Sequence, residues 1–221
     1  MADGAMSRVS RDEYYLRIAV DVAKRSTCLR RQIGAVVVNG DVIVSTGYNG
    51  NPRNMPHCEE IGCVRDELKI PSGERMEICT GVHAEMNALL FAGKEARGGA
   101  LYTTIVPCNT CAKMIINSGI RRVVYAEGYP DKMGFVLLEE AGIPVERMPI
   151  ELEEPLSRPE EETLEIVQAG SSLSMEEMRE ALARKEQLMA QIAAGKKSIN
   201  EVAADIIQER VANLKGGRED R

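Results

Sequence analysis

Between residues 83 and 148, short helical patterns alternate with short β-branched runs, and this alternation restricts the fold more than any other feature of the chain. A helical pattern over 83–93, stopped at Gly93, leads to the strand ALYTTIV (100–106) and a helix from Cys108 to Ser118. The strand RRVVYA (121–126), a helix over 131–141 closed by Gly142, and the short strand IPVERM follow. Upstream, Ser10 and Glu13 form a capping box before a helix with the apolar stripe Tyr14, Ile18 and Val22. IGAVVVNGDVIVSTGY then reads as two strands joined at Asn39-Gly40, a strong hairpin signal. The order α-β-β-α-β-α-β-α-β predicts an α/β chain whose central sheet is at least partly parallel, with helices on both faces.

The rest of the chain divides by composition. Residues 1–9 read as a disordered start and 10–150 as the domain. Residues 151–172 form an acidic, Pro-containing linker, and 173–221 a helical hairpin extension. Two capping boxes open its helices, Ser174 with Glu177 and Ser198 with Glu201, while Gly195 and Gly216 are the expected stops. The hairpin's narrow apolar stripe predicts packing on the core or on another subunit. Within the domain, residues 49–80 are a long stretch without periodicity, rich in Gly, Pro, Cys and charge. A connection of that length is usually functional or stapled by metal.

Charge narrows the partners. Residues 1–150 hold 18 acidic and 18 basic side chains, so the net −6 belongs wholly to the tail. No positive field is available for a nucleic-acid polymer. With no Trp and two Phe, stacking platforms for single strands are also unlike this chain. A mononucleotide needs only one or two local cations. No apolar run is long enough to span a membrane and no signal-peptide pattern stands at the start, which predicts a cytoplasmic protein. Six cysteines in that compartment read as metal ligands or buried thiols.

Metal chemistry is written in two places. Cys108 and Cys111 in PCNTC stand at i and i+3 on the first turn of a helix, where the N-terminus favours thiolates. His83 supplies a third donor, leaving the fourth zinc position for water, as catalytic sites do. Glu85, two residues after His83, does not share its helical face and is poorly placed as a ligand. It is better placed to reach the metal-bound water and carry its proton to a substrate nitrogen. The combination H-x-E…P-C-x-x-C is the signature of zinc nucleobase deaminases, in which zinc-bound hydroxide attacks C4 of cytosine or C6 of adenine.

At this point the chain resembles the deoxycytidylate (dCMP) deaminases of the cytidine deaminase-like superfamily. The resemblance rests on RSTCLRRQIGAVVV, TGYNGNPR, the HC at 57–58, VHAEMNALL, LYTTIVPCNTCAKMIINSGIRRVVY and YPD, and covers residues 10–150. It implies a three-layer α-β-α sandwich with a mixed five-stranded sheet. It implies hydrolysis of dCMP to dUMP in pyrimidine nucleotide metabolism, with His83, Cys108 and Cys111 on zinc and Glu85 as proton shuttle. Asn49, Arg53 and Tyr129 match positions that contact substrate. Phe91 and Lys94 match an effector region for dCTP and dTTP, with Mg²⁺ accompanying the triphosphate. Many members of that family are oligomers, often hexamers, so the resemblance also implies a homo-oligomer, hexamer or dimer. Two positions depart from the pattern: Asn54 stands where Gly is expected, and Lys94 where Arg is common.

The resemblance also implies a second, structural Zn²⁺ drawing on Cys28, Cys58, Cys63 and Cys79, with Cys63 and His57 as alternatives for the fourth ligand. Competing functions are another small-substrate deaminase (cytidine, dCTP or a riboflavin-type precursor) and a catalytically inert zinc scaffold.

Overall fold

A computed structural model of the chain describes residues 8–128, 133–150 and 175–219. In chain order its elements are α1 (Arg11–Ala23), β1 (Gly34–Asn39), β2 (Val42–Tyr48), α2 (Cys58–Ile61) and α3 (Val64–Glu67). After a 3₁₀ turn (Met76–Ile78) come α4 (Ala84–Ala92), a second 3₁₀ turn (Gly93–Ala96), β3 (Ala100–Ile105) and α5 (Asn109–Ser118). They are followed by β4 (Arg122–Glu127), α6 (Met133–Glu140), β5 (Val145–Arg147), α7 (Met175–Ala193) and α8 (Ile199–Glu219). The acidic linker and Ser174 lie outside the described residues. The described residues fall into two compact units, one within 8–26, 31–49 and 82–150, the other within 27–30, 50–81 and 175–219.

The first unit holds the sheet, in the order β2-β1-β3-β4-β5. β1 runs antiparallel to β2 and β3, and β3, β4 and β5 are parallel. The sheet is therefore mixed, as the sequence predicts. β1 is buried on both faces, so its run of Ala and Val is continuous rather than alternating with polar residues. Ala35, Val37, Leu101 and Val123 pack with Ala84 and Ala88 of α4, Ala112 and Ile115 of α5 and Leu138 of α6. On the opposite face, Val36, Val38, Tyr102 and Val124 pack with Tyr15, Leu16 and Ala19 of α1. Helices thus cover both faces in three layers.

Local signals hold with small shifts. The Glu13 N–H donates to Ser10 Oγ at 3.1 Å, capping α1. The hairpin turn is Gly40-Asp41 (φ 56° and 65°), one residue beyond the expected Asn39-Gly40, because Asn39 pairs with Val42 as the last rung of the ladder. Asp12 on α1 accepts both Nη atoms of Arg122 (2.7 and 2.9 Å) and the Tyr102 hydroxyl (2.7 Å), while Arg122 also pairs with Glu146 of β5 (2.6 Å).

The second unit gives structure to the stretch that shows no periodicity. α2 and α3 are four residues each, too short for a helical period to register. Val64, Leu68, Ile70 and Ile78 form a core with Val202, Ala203 and Ile206 of α8, joined by Leu188 and Ile192 of α7. The extension therefore packs on the 50–81 segment. Ser198 and Glu201 form a reciprocal capping box at the start of α8 (2.8 and 3.2 Å). Gly216 is not the expected stop. α8 continues through it to Glu219, an interior glycine costing only about 1 kcal/mol.

Candidate active site

Two helices begin at the residues singled out as ligands. His83 is the N-cap of α4, in extended conformation (φ −71°, ψ 154°), and Cys108 is the extended N-cap of α5 (φ −71°, ψ 170°). His83 therefore stands outside the helix, and the rule that i and i+2 diverge applies only from Ala84 onward. Glu85 lies inside the first turn, 2% exposed. Cys111 follows one turn into α5 and is buried.

His83 Nδ1 is 3.5 Å from Cys108 Sγ and 3.3 Å from Cys111 Sγ. Among the described residues, these donors form the one set of three or more acidic, His or Cys atoms lying within 4.8 Å of one another. A tetrahedral ion with Zn–S near 2.3 Å and Zn–N near 2.0 Å holds S and N about 3.5 Å apart, so the trio fits zinc in donor type and spacing. The Glu85 carboxylate is not one of that set.

The electrostatics suit the same assignment. Donation from Cys111 pulls the Cys108 thiol down to about 4, against burial, and the His83 ring adds to the effect. Cys111 is pushed up correspondingly by its bond to Cys108 and by burial. Metal binding takes cysteines as thiolates, so loading the trio requires both thiols to give up their protons. Burial drives the Glu85 carboxyl up, opposed by His83. A carboxyl displaced upward from its ordinary range is better matched to giving and taking protons near neutrality.

Two glycines bring backbone against these helices. A Cβ at Gly47 of β2 would lie 2.3 Å from Ala84 O and 2.4 Å from Ala88 N, so α4 rests directly on the strand through its alanine stripe. A Cβ at Gly134 of α6 would lie 2.1 Å from Pro107 O and 2.7 Å from Cys108 C. Side chains from β2 and α4 complete the dock: Ser45 Oγ donates to Ala88 O (2.7 Å), and Asn87 Nδ2 to Tyr48 O (2.8 Å). Sequence reasoning missed Ser45, Gly47, Asn87 and Gly134 as supports of the site. Asn109, between the two cysteines, was also missed. Its buried Oδ1 has no hydrogen-bond partner among the described residues. The only available signals were a small-residue stripe in α4 and a polar residue inside PCNTC.

The remaining expected residues are placed as follows. Asn49 Oδ1 accepts from Ile33 N (2.8 Å) and its Nδ2 donates to Arg31 O (2.9 Å), so its amide is spent on backbone. Arg53 is exposed in the second unit, followed by Asn54 at φ 68°. That left-handed conformation is the one glycine favours and asparagine tolerates, which explains how Asn stands at the expected Gly. Phe91 is 60% exposed, and Lys94 is exposed in the 3₁₀ turn after α4. Tyr129 lies outside the described residues.

Cys28, Cys58, Cys63 and Cys79 all belong to the second unit, and no disulfide joins any of them. Burial raises Cys58, with Cys28, Cys63 and Cys79 close enough to reinforce it, and raises Cys63 to about 11. No three of their sulfurs lie within 4.8 Å of one another. His57 Nδ1 lies 3.2 Å from Thr27 Oγ1.

Comparison with known proteins agrees with this geometry. Residues 9–127 match the model of the cytidine and deoxycytidylate deaminase zinc-binding region. The deoxycytidylate deaminase of Mycobacterium phage D29 is 44% identical over 126 residues, covering 54% of this chain and 97% of the phage protein. That of Schizosaccharomyces pombe is 42% identical over 139 residues, covering 62% of this chain and 43% of the yeast protein. The chain thus spans less than half the length of that yeast relative. The crystal structure of dCMP deaminase from cyanophage S-TIM5, in complex with dCMP and dUMP, superposes with a TM-score of 0.54 at 29% identity. It covers 64% of this chain and 99% of the phage chain. A family match over more than half of the chain, which includes the residues of the His83–Cys108–Cys111 cluster, establishes that the chain belongs to the cytidine and deoxycytidylate deaminases.

Proposed function

We propose that the chain catalyses hydrolytic deamination of dCMP to dUMP, water entering at C4 and ammonia leaving. The observation that carries this reading is the buried Glu85 carboxyl set beside, but not within, a His/Cys/Cys donor trio. His83, Cys108 and Cys111 would hold a zinc ion. When bound, zinc supplies a Lewis acid that brings the pKa of water to about 7. Glu85 would accept a proton from the attacking water and pass it to the pyrimidine ring nitrogen, then take the second proton of that oxygen and deliver it to the departing amine. Its upward displacement supports both halves of that exchange. The choice of dCMP is supported by the phage D29 relative's name and by the dCMP and dUMP bound to the S-TIM5 enzyme.

Finer assignments belong to the same proposal. Arg53 receives the 5′-phosphate, Asn49 holds the adjoining backbone in shape for it, and Tyr129 closes over the base. Phe91 and Lys94 meet a dCTP or dTTP effector with its Mg²⁺, and the exposed Leu90 and Phe91 support burial between copies in a homo-oligomer. Cys28, Cys58, Cys63 and Cys79 hold a second, structural zinc, supported by their gathering in one unit. The reaction runs in the cytoplasm. No helix among the described residues is long and apolar enough to cross a membrane.

Ammonia release measured across dCMP, dCTP, CMP, cytidine and adenosine-containing RNA tests the reading. Preference for dCMP supports it, and preference for any other substrate overturns it. Metal analysis after gentle dialysis tests the second zinc, where two ions per chain are expected and one would refute it.

A further inference from the structure

The segment that carries Arg53 has little substance of its own. Asn51 ties it locally, Nδ2 donating to Pro56 O (2.5 Å) and Oδ1 accepting from Thr80 Oγ1 (2.8 Å). Beyond it, α2 and α3 are single turns, which do not persist without tertiary contacts. Those contacts come from α8. Val202, Ala203 and Ile206 are 0%, 2% and 4% exposed against Val64, Leu68, Ile70 and Ile78. One turn further, Arg210 pairs with Glu67 of α3, its Nη1 standing 3.2 Å from where a Cβ on Gly62 would be. Arg75 Nη2 donates to Asn200 Oδ1 at 2.8 Å. Towards its C-terminus, Val211 and Leu214 face Asn54, Met55, Pro56 and His57 across a cleft of about 410 Å³. α8 thus spans from the core of the segment to the residues immediately after Arg53. The phage D29 relative matches over 97% of its own length while covering 54% of this chain, so that relative is much the shorter of the two.

We infer that α8 is a positioning element for the Arg53 loop, with Val202, Ile206 and Arg210 setting how well the loop is held for the substrate phosphate while taking no part in the chemical step. The inference rests on the dCMP reading and adds to it a role for the extension.

Steady-state kinetics with dCMP on Arg210→Glu, Glu67→Arg and the double exchange, read beside hydrogen exchange of residues 50–78 in the full chain, test it. Each single variant is expected to raise KM about tenfold with kcat held within about twofold. The double exchange restores the ion pair and is expected to bring KM back to within about threefold of the parent. Amide exchange in 50–78 accelerates in the singles and recovers in the double. Arg210→Met, which keeps the stem packing and loses the charge, is expected to show the same split at smaller size. An unchanged KM despite faster exchange overturns the inference, because α8 would then only hold the segment together. A fall in kcat at constant KM overturns it as well. Should the parent protein not turn over dCMP, the functional reading fails separately. In that event unaltered exchange at 50–57 in the single variants still overturns the role given to α8, and faster exchange there supports it.

Discussion

In the unit that carries His83, Glu85, Cys108 and Cys111, helix and sheet meet backbone to backbone. A methyl at Gly47 or Gly134 would stand 2.3 or 2.1 Å from main-chain oxygens. In the unit built from 50–81 and α8, the elements meet through long side chains instead: Arg210 with Glu67, Arg75 with Asn200, Ile206 among Val64 and its neighbours. Close-packed backbone has no soft coordinate to absorb a displacement, so donors carried on it keep their spacing. Arginine stems adjust by rotation, so the Arg53 segment is held but tunable. Under the proposed function, the chemical step would rest on the rigid packing and substrate recognition on the adjustable one.

The sharpest way to break this comparison is at a donor. Cys111→Ser leaves two of three soft or nitrogen ligands, and is expected to abolish zinc retention and lower kcat/KM by about a thousandfold or more, read by metal analysis and dUMP formation. Normal zinc content in this variant would mean that the trio is not the metal site. Next in size is Gly47→Ala. Its Cβ meets only backbone of α4, so the helix bearing Glu85 must move, and a loss of about a hundredfold in kcat is expected with the fold retained by circular dichroism. Full activity would show that the close approach is incidental.

The second unit responds differently. Ile206→Ala removes a side chain that is 4% exposed and is expected to cost about 2–5 kcal/mol locally. Hydrogen exchange should accelerate in 58–78 and along α8 while the β1 and β3 amides stay protected. Uniform acceleration would dissolve the distinction between the units. The smallest effect belongs to Asp12, whose carboxyl Arg122 holds below its ordinary 3.8. A lowered folded value means the unfolded chain binds the proton more tightly, so the pair's contribution is complete above about pH 4 and fades as the pH falls through the lowered value. Asp12→Asn is therefore expected to cost about 1 kcal/mol at neutral pH, and the difference from the parent should close in acid. Denaturant midpoints at several pH values measure it, and a gap that widens in acid would reverse the sign.

The alternation from 83 to 148, the capping boxes at Ser10 and Ser198 and the ligand trio were legible because each is a local pattern with a local cause. Even the awkward pair His83 and Glu85 was readable, though its resolution needed the structure: His83 caps α4 from outside, which frees it from the helical face rule. What stayed hidden was non-local. The stripe Val202–Ile206 shows that α8 buries a face but not against what, and its partner lies more than a hundred residues away in four-residue helices that carry no period. Asn49 reads as a loop amide free for a ligand, yet its partners are the backbone of residues 31 and 33. Gly216 reads as a helix stop because glycine is the usual C-terminal cap, while α8 simply continues.

The most direct test of the central claim is Glu85→Gln, assayed for zinc content and for dCMP turnover in the same preparation. The amide keeps the shape of the side chain and cannot carry a proton. The account predicts undiminished zinc on His83, Cys108 and Cys111 with turnover reduced by at least about a thousandfold. Loss of the zinc, or turnover close to that of the parent, would contradict it.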